Sequence, residues 1–260
     1  MLFVALFNIY CYNENERNVY VKTMFWCIVI HQNSKNRYTK YIMERIIYHG
    51  SEFIIKEPEY LKGNIHNDYG LGFYCTTNKE LAKEWAAKRS GKGYINKYSL
   101  RDDRLKILDL TKPPFNDVLY WVSLLMHNRE LSSSLRNNYP RELKYLEDKY
   151  LLKVSDYDVV IGYRADDSYF HFPEAFVGSE ITLESLNSIF KAGDLGKQYV
   201  LISKRAFKLI KFIDYQEVSE KSQEDYYKRK SDADKIFTDL LETDRYKKGT
   251  RLRDLVMDNE

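Results

Sequence analysis

Glycine and proline are scarce. They number 11 and 5 among 260 residues, about half of ordinary usage, which excludes collagen-like and linker-like chains. Cysteine is scarcer still: Cys11, Cys27 and Cys75 are an odd number without metal-ligand spacing. That argues against a disulfide scaffold and for a reducing, cytoplasmic setting. Surplus charge is also lacking, with 41 basic against 38 acidic residues. A chain that grips duplex nucleic acid through phosphates usually carries a basic excess, so such adhesion is not expected as the main activity. The apolar runs MLFVALFNIYCY and TMFWCIVI fall well short of the roughly 20 residues that span a bilayer. The first also lacks a basic n-region and a small-residue cleavage site, so neither membrane partner nor export is expected. Walker loop, GxSxG elbow, HExxH helix, CxxC pair and GxGxxG fingerprint are all missing, and no metal is expected. Aromatic residues, in contrast, are plentiful: 23 Tyr, 13 Phe and 3 Trp in a chain that is 44% hydrophobic. That is enough apolar material for one full core or two small ones, and it excludes disorder.

The chain divides into three parts. Residues 1–42 carry five basic and two acidic residues, which accounts for the whole net charge of +3 and leaves the remainder balanced. They read as an extra β-hairpin or a disordered leader, or as an upstream extension ahead of a start at Met43. Residues 43–216 alternate short strand-like runs with helices, the pattern of a mixed α/β or α+β domain. Strands are expected at 45–48, ending in a His49-Gly50-Ser51 turn, and at 72–76, 94–100, 107–110, 157–163, 198–202 and 206–213, the last two paired with each other. Thr77 with Glu80 fits a capping box opening a helix to about Ser90. Val118, Leu119, Val122, Leu125 and Met126 share one helical face, Leu143, Leu146, Tyr150 and Leu151 another, and Thr182 to Lys191 is a short helix. Residues 217–260 form a charged tail in which Ile236, Phe237, Leu240 and Leu241 recur at helical spacing. It reads as a helix docked on the domain, or one that binds a partner.

The residues that could carry chemistry form an ordered series: Tyr48-His49-Gly50-Ser51, then Asp68-Tyr69-Gly70-Leu71-Gly72-Phe73-Tyr74-Cys75-Thr76-Thr77, then Trp85, then Gly196-Lys197-Gln198-Tyr199-Val200. Singly, each has a plain structural reading. A histidine at a strand end is commonly a hydrogen-bonded core residue, aromatics beside glycines pack, and Gln198 suits a polar strand edge. Asp166 and Asp167 have turn chemistry.

In this order the series resembles the ADP-ribosyltransferase superfold, in the branch whose signature is His, Tyr and Glu, shared by diphtheria-toxin-like enzymes and the poly(ADP-ribose) polymerases. YHGS resembles that branch's first motif. GLGFYCTTNKELAKEW resembles its second, with Trp85 eleven positions after Tyr74. With GYRADDSYF and QYVLIS, the chain is also similar to a bacterial domain-of-unknown-function family regarded as ADP-ribosyltransferase-like, over roughly Glu44 to Gln216. The resemblance implies an α+β fold: a split mixed β-sheet core with flanking helices and a helical insertion.

It also implies roles. NAD is the co-substrate, with His49, Gly50, Ser51, Tyr69, Gly72, Tyr74 and Trp85 as its binding residues and His49, Tyr74 and Gln198 as the catalytic set. His49 would hydrogen-bond the adenosine ribose, the Gly50 backbone would meet the nicotinamide carboxamide, and Tyr74 and Trp85 would sandwich the cationic ring. Residues 67–71 would line the pocket, with Cys75 beside Tyr74. Gln198 stands where the branch has Glu. An amide still hydrogen-bonds a ribose hydroxyl but supplies neither full charge nor a general base, so chain elongation is not expected and a single transfer is. Asp166, Asp167 or Glu180 could then activate the acceptor. The expected function is an intracellular bacterial mono-ADP-ribosyltransferase, a toxin of a toxin-antitoxin or phage-defence pair. It would modify a protein or nucleic acid acceptor and be held by a small antitoxin protein. The alternatives are an NAD glycohydrolase, or an inactive module that keeps the NAD cleft or stacks single-stranded nucleic acid.

Overall fold

The computed structural model describes the backbone of residues 3–13, 18–28, 41–42, 44–87, 92–165, 169–192, 196–218 and 221–259, with side chains from residue 44 onward except 191–192, 221–223 and 225. The elements in chain order are β1 (Phe3–Asn13), β2 (Asn18–Ile28), β3 (Tyr41–Ile42), β4 (Arg45–Ser51), β5 (Phe73–Cys75), α1 (Lys79–Ala87), β6 (Gly93–Leu100), β7 (Ile107–Asp109), α2 (Val118–Asn128), α3 (Ser133–Asn138), α4 (Pro140–Tyr150), β8 (Val159–Tyr163), α5 (His171–Val177), α6 (Leu183–Ala192), β9 (Lys197–Leu201), α7 (Lys204–Leu209), β10 (Ile210–Val218), α8 (Lys221–Asp244) and α9 (Leu252–Met257). The class is α+β. β1 and β2 pair antiparallel, from Phe3 opposite Ile28 to Asn13 opposite Asn18, and β3 adds to β2. The leader thus takes the hairpin form, one of the alternatives its sequence offers.

Two sheets build the body. In the first, β6 lies between β4 and β10, all antiparallel. In the second, the order is β5-β9-β8-β7, antiparallel except for the parallel pair β7–β8. A single bridge between Tyr48 and Thr76, with N···O distances of 2.7 and 2.9 Å, joins the β4 edge to the β5 edge. Ile47, Tyr98, Phe73, Tyr199 and Leu201 are packed in the core between the two sheets. The larger core covers the other side of the second sheet, where α2 inserts Leu119, Trp121, Val122 and Leu125, and α5 and α6 add Phe172, Phe176 and Phe190. α2, α3 and α4 form a helical segment between β7 and β8. α2 is apolar on nearly every face and is accordingly buried, and the Asp117 carboxylate caps it by accepting from Leu119 N at 2.9 Å.

Several expectations need correction. His49-Gly50-Ser51 is not a turn: β4 runs through Ser51, and Gly50 pairs opposite Ile95. The missing side chain serves packing there, since a Cβ on Gly50 would lie 2.0 Å from the Ala82 carbonyl oxygen and 2.7 Å from Ala86 N of α1. The cap of α1 is Asn78, whose Oδ1 accepts from Glu80 N at 3.0 Å, and not Thr77. Residues 206–209 belong to a helix, because Ser203 Oγ accepts from Ala206 N at 3.1 Å and starts α7. β9 and β10 do not pair with each other; β9 sits inside the second sheet and β10 on the edge of the first. The tail is a docked helix, as one reading had it: Phe237, Leu240 and Leu241 of α8 pack on the larger core while Ile236 is exposed. α9 goes further and buries Leu252 and Val256.

Candidate functional site

A cleft of about 780 Å³ opens along the seam of the two sheets, within the usual range for small-molecule sites. β4 contributes His49 and Gly50, β5 contributes Phe73 and Tyr74, α1 contributes Trp85 and β9 contributes Gln198. These residues come from four separate elements. The long loop between β4 and β5 forms the rim, with Phe53 and Ile54 exposed on it.

His49 is fixed by its Nδ1, which lies 2.7 Å from the Tyr74 carbonyl oxygen. A carbonyl only accepts, so Nδ1 carries the proton and donates. Burial lowers the imidazole pKa by disfavouring the cation, and the Tyr74 bond opposes this incompletely. The ring is therefore neutral at pH 7, with Nε2 as an acceptor, and it stacks on Phe73 at 4.4 Å.

Tyr74 turns its hydroxyl inward. The phenol donates to the Gly70 carbonyl at 2.7 Å and accepts from Tyr69 N at 3.0 Å. It thereby pins a turn that begins with Asn67, whose carbonyl accepts from Gly70 N at 2.9 Å, and in which Gly70 adopts a φ of 74°. Burial, then the neighbouring Asp68, push its pKa well above the usual phenol range.

That turn delivers Asp68 to the floor of the cleft. Asp68 is only 5% exposed. Its Oδ2 accepts from Gln198 Nε2 at 2.9 Å and from Ala165 N at 2.9 Å, and its Oδ1 lies 3.3 Å from the Arg129 guanidinium. Desolvation raises its pKa to about 6, against the lowering effects of Arg129, Ala165, Gln198 and Arg164. Because a carboxylate only accepts, Gln198 must turn its nitrogen toward Asp68. Its Oε1, which has no hydrogen-bond partner among the described residues, is the group left to the cleft.

Two arginines complete the floor. Arg129 lies over the Phe170 ring at 4.7 Å. Arg164 stands 5.5 Å from the Trp85 ring centroid and 3.4 Å from Glu84, whose carboxylate also holds Arg229 of α8 at 2.8 Å.

The cleft thus brings together His49, Gly50, Gly72, Tyr74, Trp85 and Gln198. Ser51 and Tyr69 do not line it. Ser51 Oγ accepts from Phe53 N at the loop start, and Tyr69 is a core residue whose hydroxyl donates to the Tyr163 carbonyl at 2.6 Å. Glu180 is exposed beyond α5, where its carbonyl accepts from Arg251. Asp166 and Asp167 lie outside the described residues. Cys75 does not line the cleft: it is fully buried between the sheets, and burial pushes its thiol pKa well up, away from the thiolate form. The pattern places Asp68 only within the pocket-lining 67–71 loop, without a chemical role, and gives none to Arg129 or Arg164. For Asp68 the available signal was its position directly ahead of Tyr69-Gly70, in a chain that lacks the expected acid at residue 198.

Among the described residues no helix is long and apolar enough to cross a membrane. No curated protein and no solved structure matches the chain. A family profile matches residues 45–212, from the first residue of β4 into β10, and so spans both sheets of the body, the cleft between them and well over half of the chain. On that extent the chain belongs to the family described as protein of unknown function, DUF3990.

Proposed function

We propose that this protein is an NAD-dependent mono-ADP-ribosyltransferase, its two sheets forming the split core of that superfold. The observation that carries the reading is the convergence of His49, Tyr74, Trp85 and Gln198, the residues of the sequence resemblance, on one cleft. A neutral His49 offers Nε2 to a ribose hydroxyl. Tyr74, its hydroxyl committed to the 69–70 turn, offers a ring, and Trp85 offers a second aromatic surface to the cationic nicotinamide. Gln198 Oε1 accepts from the other ribose.

The reaction is rupture of the nicotinamide–ribose bond through an oxocarbenium-like state, which hydrogen bonds to the sugar stabilise as charge develops. Nicotinamide leaves and ADP-ribose passes to a macromolecular acceptor, which would meet the apolar rim at Phe53 and Ile54. The setting is the bacterial cytoplasm, in keeping with an odd cysteine count. The toxin role and a small antitoxin partner rest on the resemblance alone.

Incubation of the purified chain and a cell extract with NAD labelled in its adenylate phosphate tests the proposal. Label fixed on protein or nucleic acid supports transfer. Free ADP-ribose alone supports a glycohydrolase, and no consumption of NAD above that of a His49→Ala, Tyr74→Ala double variant leaves a binding module.

A further inference from the structure

The site has an amide where the chemistry wants a carboxylate, and a buried carboxylate is hydrogen-bonded to that amide. We infer that Asp68 is the catalytic carboxylate of this cleft and that Gln198 is its relay, holding Asp68 through Nε2 and presenting Oε1 to the ribose. The inference rests on the transferase reading and deepens it. Two residues 130 positions apart, on a loop turn and a central strand, would divide what a single glutamate does elsewhere: Gln198 supplies the neutral acceptor and Asp68 the charge and the base.

The geometry favours a working group over a structural ion pair. Asp68 lines the cleft and is not sealed behind it. Its three bonds come from three separate places: the Arg129 side chain just after α2, the Ala165 amide just after β8, and Gln198 on β9. The Tyr74 hydroxyl holds the turn that carries it. A group fixed this way keeps its position while charge changes around it, which is what electrostatic stabilisation of a transition state requires. The charged and titratable groups facing it are Arg129 and Arg164, the phenols of Tyr69 and Tyr74, and His49 across the cleft. Burial pushes both phenols up and the His49 imidazole down, while it raises Asp68 to about 6, so loss of the limb in an Asp68 variant is what assigns it.

The step balances as follows. The C1′–N1 bond of NAD breaks, and its electron pair leaves with nicotinamide, neutralising the pyridinium. The acceptor's O–H or N–H nucleophile forms the new bond to C1′. Its proton passes to the Asp68 carboxylate and from there to water, regenerating the base.

The test is steady-state NAD turnover against pH, with NAD binding followed separately by quenching of tryptophan fluorescence. In the unmodified protein kcat/KM should rise through about pH 6 and then level. Asp68→Asn should lose roughly 100-fold or more in kcat and lose the pH 6 limb, with NAD affinity within about threefold. Gln198→Glu should place a second acid against Asp68 and raise the apparent pKa of the pair, so that its limb moves up by at least about one pH unit and turnover at pH 7 falls. If Gln198→Glu is as active as or more active than the unmodified chain with the limb in place, residue 198 is the seat of the carboxylate and the inference is overturned. Full activity in Asp68→Asn overturns it as well. Should Asp68→Asn fail to fold, the Gln198→Glu profile decides. An unmodified protein that consumes no NAD overturns the transferase reading itself, a result distinct from either.

Discussion

Replacing Tyr74 with Phe removes one oxygen and keeps the ring, which separates the two things this residue does. The hydroxyl bridges the Gly70 carbonyl at 2.7 Å and the Tyr69 amide at 3.0 Å. Tyr69 is 1% exposed and Gly70 is also buried, so water has little access to either backbone group. Each orphaned neutral group costs about 1–2 kcal/mol, the lower part of the range for such groups, and the loss of two for Tyr74→Phe is therefore expected at about 2–4 kcal/mol. For a body of this size each kcal/mol moves the midpoint by roughly 2–4 °C, so the variant should melt roughly 5–15 °C lower. The same loss frees the turn that holds Asp68 on the cleft floor, so on the transferase reading kcat should fall while affinity for NAD, which that reading assigns to the ring, should change little. Urea titration gives the stability term, and paired measurement of kcat and NAD binding gives the functional one. A stability change below about 0.5 kcal/mol, or a variant that loses NAD affinity with kcat intact, would refute the assignment of the hydroxyl to the turn and the ring to the ligand.

Four further outcomes follow from the same contacts. Gly50→Ala forces a Cβ to within 2.0 Å of the Ala82 carbonyl oxygen and should destabilise by about 3 kcal/mol or more, visible as loss of soluble yield or a lowered midpoint. Asp68 has a folded pKa of about 6 against an ordinary 3.8. The folded state therefore holds that proton more tightly, and Asp68 weakens the fold above pH 6 by about 3 kcal/mol relative to pH below 4, lost progressively as pH falls between the two values. Subtracting the Asp68→Asn stability curve from that of the unmodified chain should give a difference that declines from pH 4 to 7; a flat or rising difference contradicts the shift. Glu84→Gln removes the charge shared by Arg164 and Arg229 and should cost about 2–4 kcal/mol in urea titration, since Arg164 is almost wholly buried. Truncation after Val218 strips Leu252, Val256, Phe237 and Leu240 from the larger core and should yield an aggregating protein, as read by size-exclusion chromatography.

What could be read from the sequence followed the range of the force involved. Short runs such as YINKYSL and YDVVIGY became β6 and β8 because local alternation and β-branching suffice to define them. AFKL was misread because its apolar content suits either a strand or a helix; the deciding contact is the cap from Ser203, and the apolar residues that follow in β10 blur the boundary. The role of Gly50 depended on a helix from a distant segment pressing on the strand, which no local pattern records. Of the site, the aromatic pair and the two polar anchors His49 and Gln198 were legible from motif spacing. Asp68 was legible as part of the pocket-lining loop but its chemical role was not, because that comes from a partner 130 residues away. Ser51 and Tyr69 sat inside the motifs, yet their side chains serve the loop start and the core.

The seam between the two sheets has a consequence of its own. His49 belongs to one sheet and Tyr74 to the other, and they are aligned by the Tyr48–Thr76 bridge and by one imidazole proton. The two walls of the cleft are thus registered to each other at one edge. Their spacing there is set by two backbone hydrogen bonds and by one imidazole held to a backbone carbonyl, not by the other side chains that line the cleft. A molecule lying across that edge is gauged for length before it is gauged for chemistry, so on the transferase reading a dinucleotide and its separate halves would present different problems to this protein even when every individual contact is the same.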